Sequence, residues 1–143
     1  MKDKGFPKQE RIVSQKQIEE LFTSGQSHSL TAFPLRAVFL NQDENENEDE
    51  KQNAVKLLLS VPKRRFKHAV DRNRVKRQLR EAYRKNKKLL TKAVPEGQEL
   101  ALAFVWMSDK HISTAIVEKL VENILRRIAD TITFKQKPLN YNQ

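Results

Sequence analysis

The stretch AVDRNRVKRQLREAYR, residues 69–84, decides the fold, because it reads as a helix that can bury only one side. At 100° per residue, Val75, Leu79, Ala82 and Tyr83 share one stripe, which Leu89 and Leu90 extend with Asn86 as a polar exception. The spacing predicts a helix from about Ala69 to Leu90. Asn73, Lys76, Arg77, Arg80, Arg84, Lys87 and Lys88 fall on the opposite side. Arg72 projects nearer the apolar edge, so its stem is expected to pack while its head reaches outward. A helix with a single apolar stripe needs another layer to cover it, and the flanking segments supply one.

Immediately upstream, Ala54 to Val61 places Val55, Leu57, Leu59 and Val61 on one face of a strand that Pro62 ends. Downstream, Pro95 to Gly97 is a turn, and the unbroken apolar run Leu100 to Met107 predicts a central strand covered on both faces. Ser113 then precedes a final helix carrying Ile116, Val117, Leu120, Val121, Ile124, Leu125, Ile128 and Ile132. From Phe134 to Gln143 a loose tail is expected, with Pro138 blocking helix continuation.

Further upstream, Ser14 stands three residues before Gln17 in capping-box spacing, and Ile18, Leu21 and Phe22 share the face of a short first helix that Gly25 can end. Gln26 to Thr31 leaves room for a short strand. Phe33, Leu35, Ala37 and Phe39 alternate with Pro34 and Arg36, predicting a strand to Leu40. Because Pro34 lacks a ladder donor, that end is expected at an edge or with the missing donor outward. Residues 41–53 (NQDENENEDEKQN) hold six acids and no apolar residue, and are expected to form a disordered acidic loop. The order is α-β-β-β-α-β-α in one domain spanning residues 1–143. This is an α/β (α+β) two-layer sandwich with a mixed sheet of about four strands and three helices.

Charge is the strongest functional signal. Residues 61–92 hold 14 lysines and arginines against Asp71 and Glu81, a net +12, while the whole 143-residue chain carries +10. Such self-repulsion makes sense if a phosphate backbone neutralises it. The bland reading is a solvated face with compensating pairs, such as Glu81 with Arg77 or Lys85, but only two acids are at hand.

Other classes are excluded or disfavoured. With no cysteine there is no disulfide, thiolate nucleophile or cysteine zinc site, and a reducing, cytoplasmic setting is the default. Three glycines cannot write a dinucleotide fingerprint or a P-loop, so nucleotide cofactors are disfavoured, and the partners expected are RNAs, with no small-molecule substrate. The longest apolar run is far too short to span a membrane. His28, His68 and His111 lack ligand spacing and read as ordinary surface histidines. The loop acids lack anything to hold magnesium geometry.

Residues 69–84, with the Arg72-Asn73-Arg74 core, the Lys76-Arg77 pair and the Leu79-Arg80-Glu81-Ala82-Tyr83-Arg84 continuation, resemble the bacterial ribonuclease P protein component. Leu59-Ser60-Val61-Pro62-Lys63 precedes them in the same spacing, and the similarity runs from about Arg11 to Thr131. The resemblance implies a left-handed strand-helix-strand crossover, against the right-handed rule. It also implies a protein subunit that assists a catalytic RNA in removing the 5′ leader from precursor tRNA. Contact with that RNA carries over to Lys63, Arg64, Arg65, Lys67, Arg72, Asn73, Arg74, Lys76, Arg77, Arg80 and Arg84. A cleft between the first helix and the sheet, which takes the single-stranded leader, carries over to Phe22, Ile18 and Arg36. Ile18 and Arg36 depart from the aromatics common there, and Phe22 reads equally as core or as leader contact. Trp106 reads as core. No catalytic side chain is implied, and magnesium is implied for the ribonucleoprotein, held mainly by RNA. A ribosomal RNA-binding protein using the same basic helix is the rival reading.

Overall fold

The computed structural model describes residues 15–23, 25, 27–43 and 55–136. Its elements are α1 (Gln15–Thr23), β1 (His28–Ala32), β2 (Leu35–Asp43), β3 (Val55–Ser60), α2 (Ala69–Asn86), α3 (Lys88–Thr91), β4 (Gln98–Trp106) and α4 (Thr114–Gln136). The four strands form one mixed sheet in the order β1-β2-β4-β3. β4 pairs antiparallel with β2 and parallel with β3, so the apolar run from Leu100 occupies the centre as its composition demands.

Odd-numbered Leu35, Ala37 and Phe39 of β2, with Val55 and Leu57 of β3 and Leu100, Leu102 and Phe104 of β4, make one floor of the main core. The other side comes from Val75, Leu79, Ala82 and Tyr83 of α2 and from Val117, Val121, Ile124, Leu125, Ile128 and Ile132 of α4. The reverse face of the sheet carries a smaller cluster in which Leu21 of α1 packs on Val38, Leu40, Ala101 and Ala103. The sandwich is thus two layers in its main body, with α1 a small extra cover on the far side. From Ala37 to Leu40, β2 is buried on both faces, which the alternation of Phe33, Leu35, Ala37 and Phe39 does not reveal.

Several boundaries differ from expectation. Phe33 is exposed outside β2, in a turn whose Phe33–Pro34 peptide is cis. β2 is an inner strand, and Pro34 precedes it while accepting a hydrogen bond from the Met107 amide at 2.8 Å. Residues 41–43 continue β2 through pairing with β4, and the remainder of the acidic segment lies outside the described residues. The helix from Ala69 stops at Asn86, whose side-chain amide donates to the Ala82 carbonyl at 3.0 Å and competes with the backbone ladder there. Leu90 nevertheless reaches the core from α3. α4 runs on to Gln136, beyond the expected start of the tail at Phe134, and residues 137–143 lie outside the described residues. Ile116 is exposed, since it falls on the flank of α4 well away from the centre of the buried stripe.

Candidate nucleic-acid interface

The basic loop between β3 and α2 is held from two sides. Its first turn closes with the Arg65 amide donating to the Pro62 carbonyl at 3.0 Å, and the Asp71 and Arg72 amides then donate to the His68 carbonyl to begin the helix. Arg72 does not reach outward: its Nη1 donates to the carbonyls of Phe66 at 2.8 Å and Lys67 at 3.1 Å. The turn leaves those carbonyls without a ladder partner, and a guanidinium on the next helical turn supplies one. On the other side, the buried Phe66 ring stacks on His111 with centroids 4.6 Å apart, and His111 Nε2 lies 3.0 Å from Asp71 Oδ1. His111 is therefore half-buried and built into the site, unlike the surface residue that its spacing suggested.

With the loop fixed, Lys63, Arg64 and Lys67 stand exposed and Arg65 is half-buried. Along α2, Asn73, Arg74, Arg77 and Arg84 are exposed, while Arg72, Lys76 and Arg80 are half-buried. Among the described residues, none of Lys63, Arg64, Lys67, Arg74, Lys76 or Arg77 forms an ion pair. The far end of α2 is different. Glu81 pairs with Arg84 instead of Arg77 or Lys85, and Lys85 pairs with Glu118 of α4 at 2.8 Å. The Arg84 hydrogen bond holds the Glu81 carboxyl below the usual carboxylate range, and Glu81 in turn raises Arg84. Uncompensated charge is thus concentrated on the loop and the first half of α2, where it can meet closely spaced phosphates.

Gln78 is a structural residue that the basic pattern concealed. Only 8% exposed, it donates from Nε2 to the Ile112 carbonyl at 2.9 Å and to Thr114 Oγ1 at 3.1 Å, joining α2 to the start of α4. A polar residue beside Leu79, on the buried flank of the stripe, was the available signal.

The reverse face of the sheet divides the three leader candidates. Ile18 is half-buried and packs against the small cluster around Leu21, whereas Phe22 is 44% exposed. Arg36 is exposed and donates from Nε to Ser29 Oγ at 3.0 Å. It is in register with Val105, which is in register with Ser60 at the entry to the basic loop. The α1 cluster lies on Val38, Leu40, Ala101 and Ala103, so the row of Arg36, Val105 and Ser60 lies just beyond it, next to the cations. Trp106 is fully buried in the main core.

A family model described as Ribonuclease P matches residues 6–129. The chain belongs to the ribonuclease P protein family. It is 37% identical over 129 residues to the ribonuclease P protein component of Porphyromonas gingivalis, covering 90% of this chain and 89% of the relative. It is also 31% identical over 90 residues to that of Nitrosococcus oceani, covering 63% and 67% of the two chains. Among solved structures, the RNase P protein from Thermotoga maritima superposes with a TM-score of 0.62 at 20% identity, over 82% of this chain and 96% of that one. The Staphylococcus aureus RNase P protein gives 0.60 at 18% identity, over 83% and 94%. These structures share the α+β fold.

Ribonuclease P is a tRNA-processing endoribonuclease, and this chain is its RNA-binding protein subunit, working with the ribonuclease P RNA. Membership sets aside the ribosomal reading. Among the described residues no three metal-ligating side chains lie together, and no helix is long and apolar enough to cross a membrane. Asp71, Glu81, Glu99, Glu118 and Glu122 lie against His111, Arg84, Lys56, Lys85 and Arg126 respectively.

Proposed function

We propose that the loop from Lys63 to Lys67 and the exposed face of α2 dock on the catalytic RNA, while the sheet face beside α1 takes the 5′ leader of precursor tRNA. The observation that carries this reading is the concentration of unpaired cations, with Lys63, Arg64 and Lys67 on a loop held by Arg72 and by the Phe66–His111 stack and Arg74, Lys76 and Arg77 on the first half of α2. A fixed array of cations releases counterions from phosphates without first being ordered, so affinity is gained at low entropic cost. Arg65, Asn73, Arg80 and Arg84 border the array. Arg72 acts through the loop it holds. On the sheet, Phe22 offers an exposed ring to an unpaired base and Arg36 offers charge to the leader backbone.

Catalysis resides in the RNA on this reading. Magnesium is held by RNA oxygens, and the protein raises affinity for leader-bearing precursor tRNA and reduces repulsion between two polyanions. The setting is the cytoplasm, where the precursor is made. RNA captured with the full chain from a lysate of its own organism tests the docking claim. Enrichment of the ribonuclease P transcript, lost when Arg74, Lys76 and Arg77 are replaced by glutamate, supports it; equal recovery with the triple variant contradicts it.

A further inference from the structure

Where the flank of α2 meets the start of α4, there is a recess of about 310 Å3, lined by Arg74, Arg77, Gln78, Glu81 and Thr114. Its size lies at the lower end of small-ligand sites, about 300–1,000 Å3. The four α2 residues stand at i, i+3, i+4 and i+7, one stripe down the helix, and Thr114 opens α4 opposite them. Both amide hydrogens of Gln78 are committed, to the Ile112 carbonyl and to Thr114 Oγ1, which fixes the wall between the helices.

The recess has two chemically different ends. Arg74 and Arg77 form no ion pair among the described residues and offer planar donors to an anion. One turn on, Glu81 is an acceptor whose charge is shared with Arg84, and Gln78 Oε1 is a buried acceptor with no partner. A bare phosphate suits the first end and is repelled at the second. A nucleotide suits both, because it carries its phosphate at one end and, in cytosine, adenine or guanine, amino hydrogens on the edge of its base.

We propose that this recess takes one unstacked nucleotide of the bound RNA. Its phosphate sits on Arg74 and Arg77, its base lies against a guanidinium plane, and its amino group donates to Glu81. The proposal rests on the RNA-docking reading above and adds a base preference to it. Unpaired bases in loops and bulges are the parts of RNA that side chains can read in this way. Uracil is disfavoured, because it turns a carbonyl oxygen to the carboxylate where cytosine turns an amino group.

The test uses the full chain, labelled with 15N, titrated with CMP, UMP and inorganic phosphate. CMP is expected to move the Gln78 side-chain amide and the Thr114 backbone signal saturably, UMP to do so several-fold more weakly, and phosphate to move only arginine signals. A second arm measures binding of the ribonuclease P RNA of the same organism by Thr114→Phe, which puts a ring into the recess and leaves both guanidinium groups in place, against Thr114→Val, which loses the same Gln78 bond without the ring. Loss of one stacked base corresponds to a fall in affinity of roughly fivefold to 150-fold, with the salt slope kept within about one unit. If Thr114→Phe does not fold, as read by its melting curve, the titration of the native chain decides alone. Equal responses to CMP and phosphate, equal responses to CMP and UMP, or wild-type RNA affinity in a folded Thr114→Phe would overturn the proposal. Those outcomes are distinct from failure of the docking reading itself, which would show as no salt-dependent RNA binding by the native chain.

Discussion

Replacing Arg72 by alanine separates holding the basic loop from touching RNA. Its Nη1 makes both bonds to the loop, at 2.8 and 3.1 Å to the carbonyls of Phe66 and Lys67. A bond from a charged donor contributes about 1.5–3 kcal/mol, but one half-exposed nitrogen serves both acceptors, so the pair is assigned about 1–2 kcal/mol in total. For a domain of this size each kcal/mol moves Tm by about 2–4 °C, so Arg72→Ala should melt about 2–8 °C lower. RNA affinity should fall as well, because the cations of the loop must be ordered at the moment of binding. The salt slope distinguishes the causes. A lost phosphate contact lowers the logarithmic slope by about 0.7–0.9, whereas a loosened loop weakens binding at every salt concentration alike. Thermal unfolding and filter binding between 50 mM and 200 mM salt, a range of the kind over which phosphate contacts show, should give a lower Tm and an unchanged slope. An unchanged Tm with a slope reduced by nearly one would instead make Arg72 a direct phosphate ligand that does not hold the loop.

Four other substitutions follow from the same geometry. Arg77→Ala should lower the salt slope by about 0.7–0.9, and Arg84→Ala should lower it less because Glu81 already neutralises that guanidinium; equal losses would contradict the division of α2 into uncompensated and compensated halves. Phe22→Ala should leave Tm nearly unchanged, since the ring is exposed, yet cost about 1–3 kcal/mol of affinity for leader-bearing precursor tRNA and little for mature tRNA; similar losses for both would remove Phe22 from the leader path. Because Arg84 lowers the Glu81 carboxyl, their pair stabilises the fold above the ordinary carboxylate range, and that contribution is lost as pH falls through the lowered value. The Tm gap between wild type and Glu81→Gln should therefore close on acidification below about pH 4, and a gap that widens instead would contradict the assignment.

The elements legible in the sequence were those whose partners are supplied by a whole face. Val75, Leu79, Ala82 and Tyr83 announce a buried stripe whatever covers it, and Leu100 to Phe104 announce a strand covered twice. The residues that were not legible depend on particular long-range neighbours. His111 becomes structural only because the fold brings it to Phe66 and Asp71, 40 or more positions away. Gln78 likewise needs Ile112 and Thr114. Helical angle alone sends the Arg72 head outward, because it says nothing about two carbonyls stranded in the preceding turn. Ile18, Leu21 and Phe22 crowd one face of a short helix, and periodicity could not tell which would turn to the sheet. Leu21 does, and that leaves Phe22 at the surface.

On the proposed function, this protein assists an RNA catalyst and supplies no catalytic side chain. Reconstitution with its own ribonuclease P RNA and a leader-bearing precursor tRNA, with cleavage followed across a magnesium titration, tests it most directly. Rigorously RNA-free protein should cleave nothing, the RNA alone should cleave slowly and at the correct place at high magnesium, and added protein should help most at low magnesium. Magnesium-dependent cleavage at the mature 5′ end by the protein alone would contradict it.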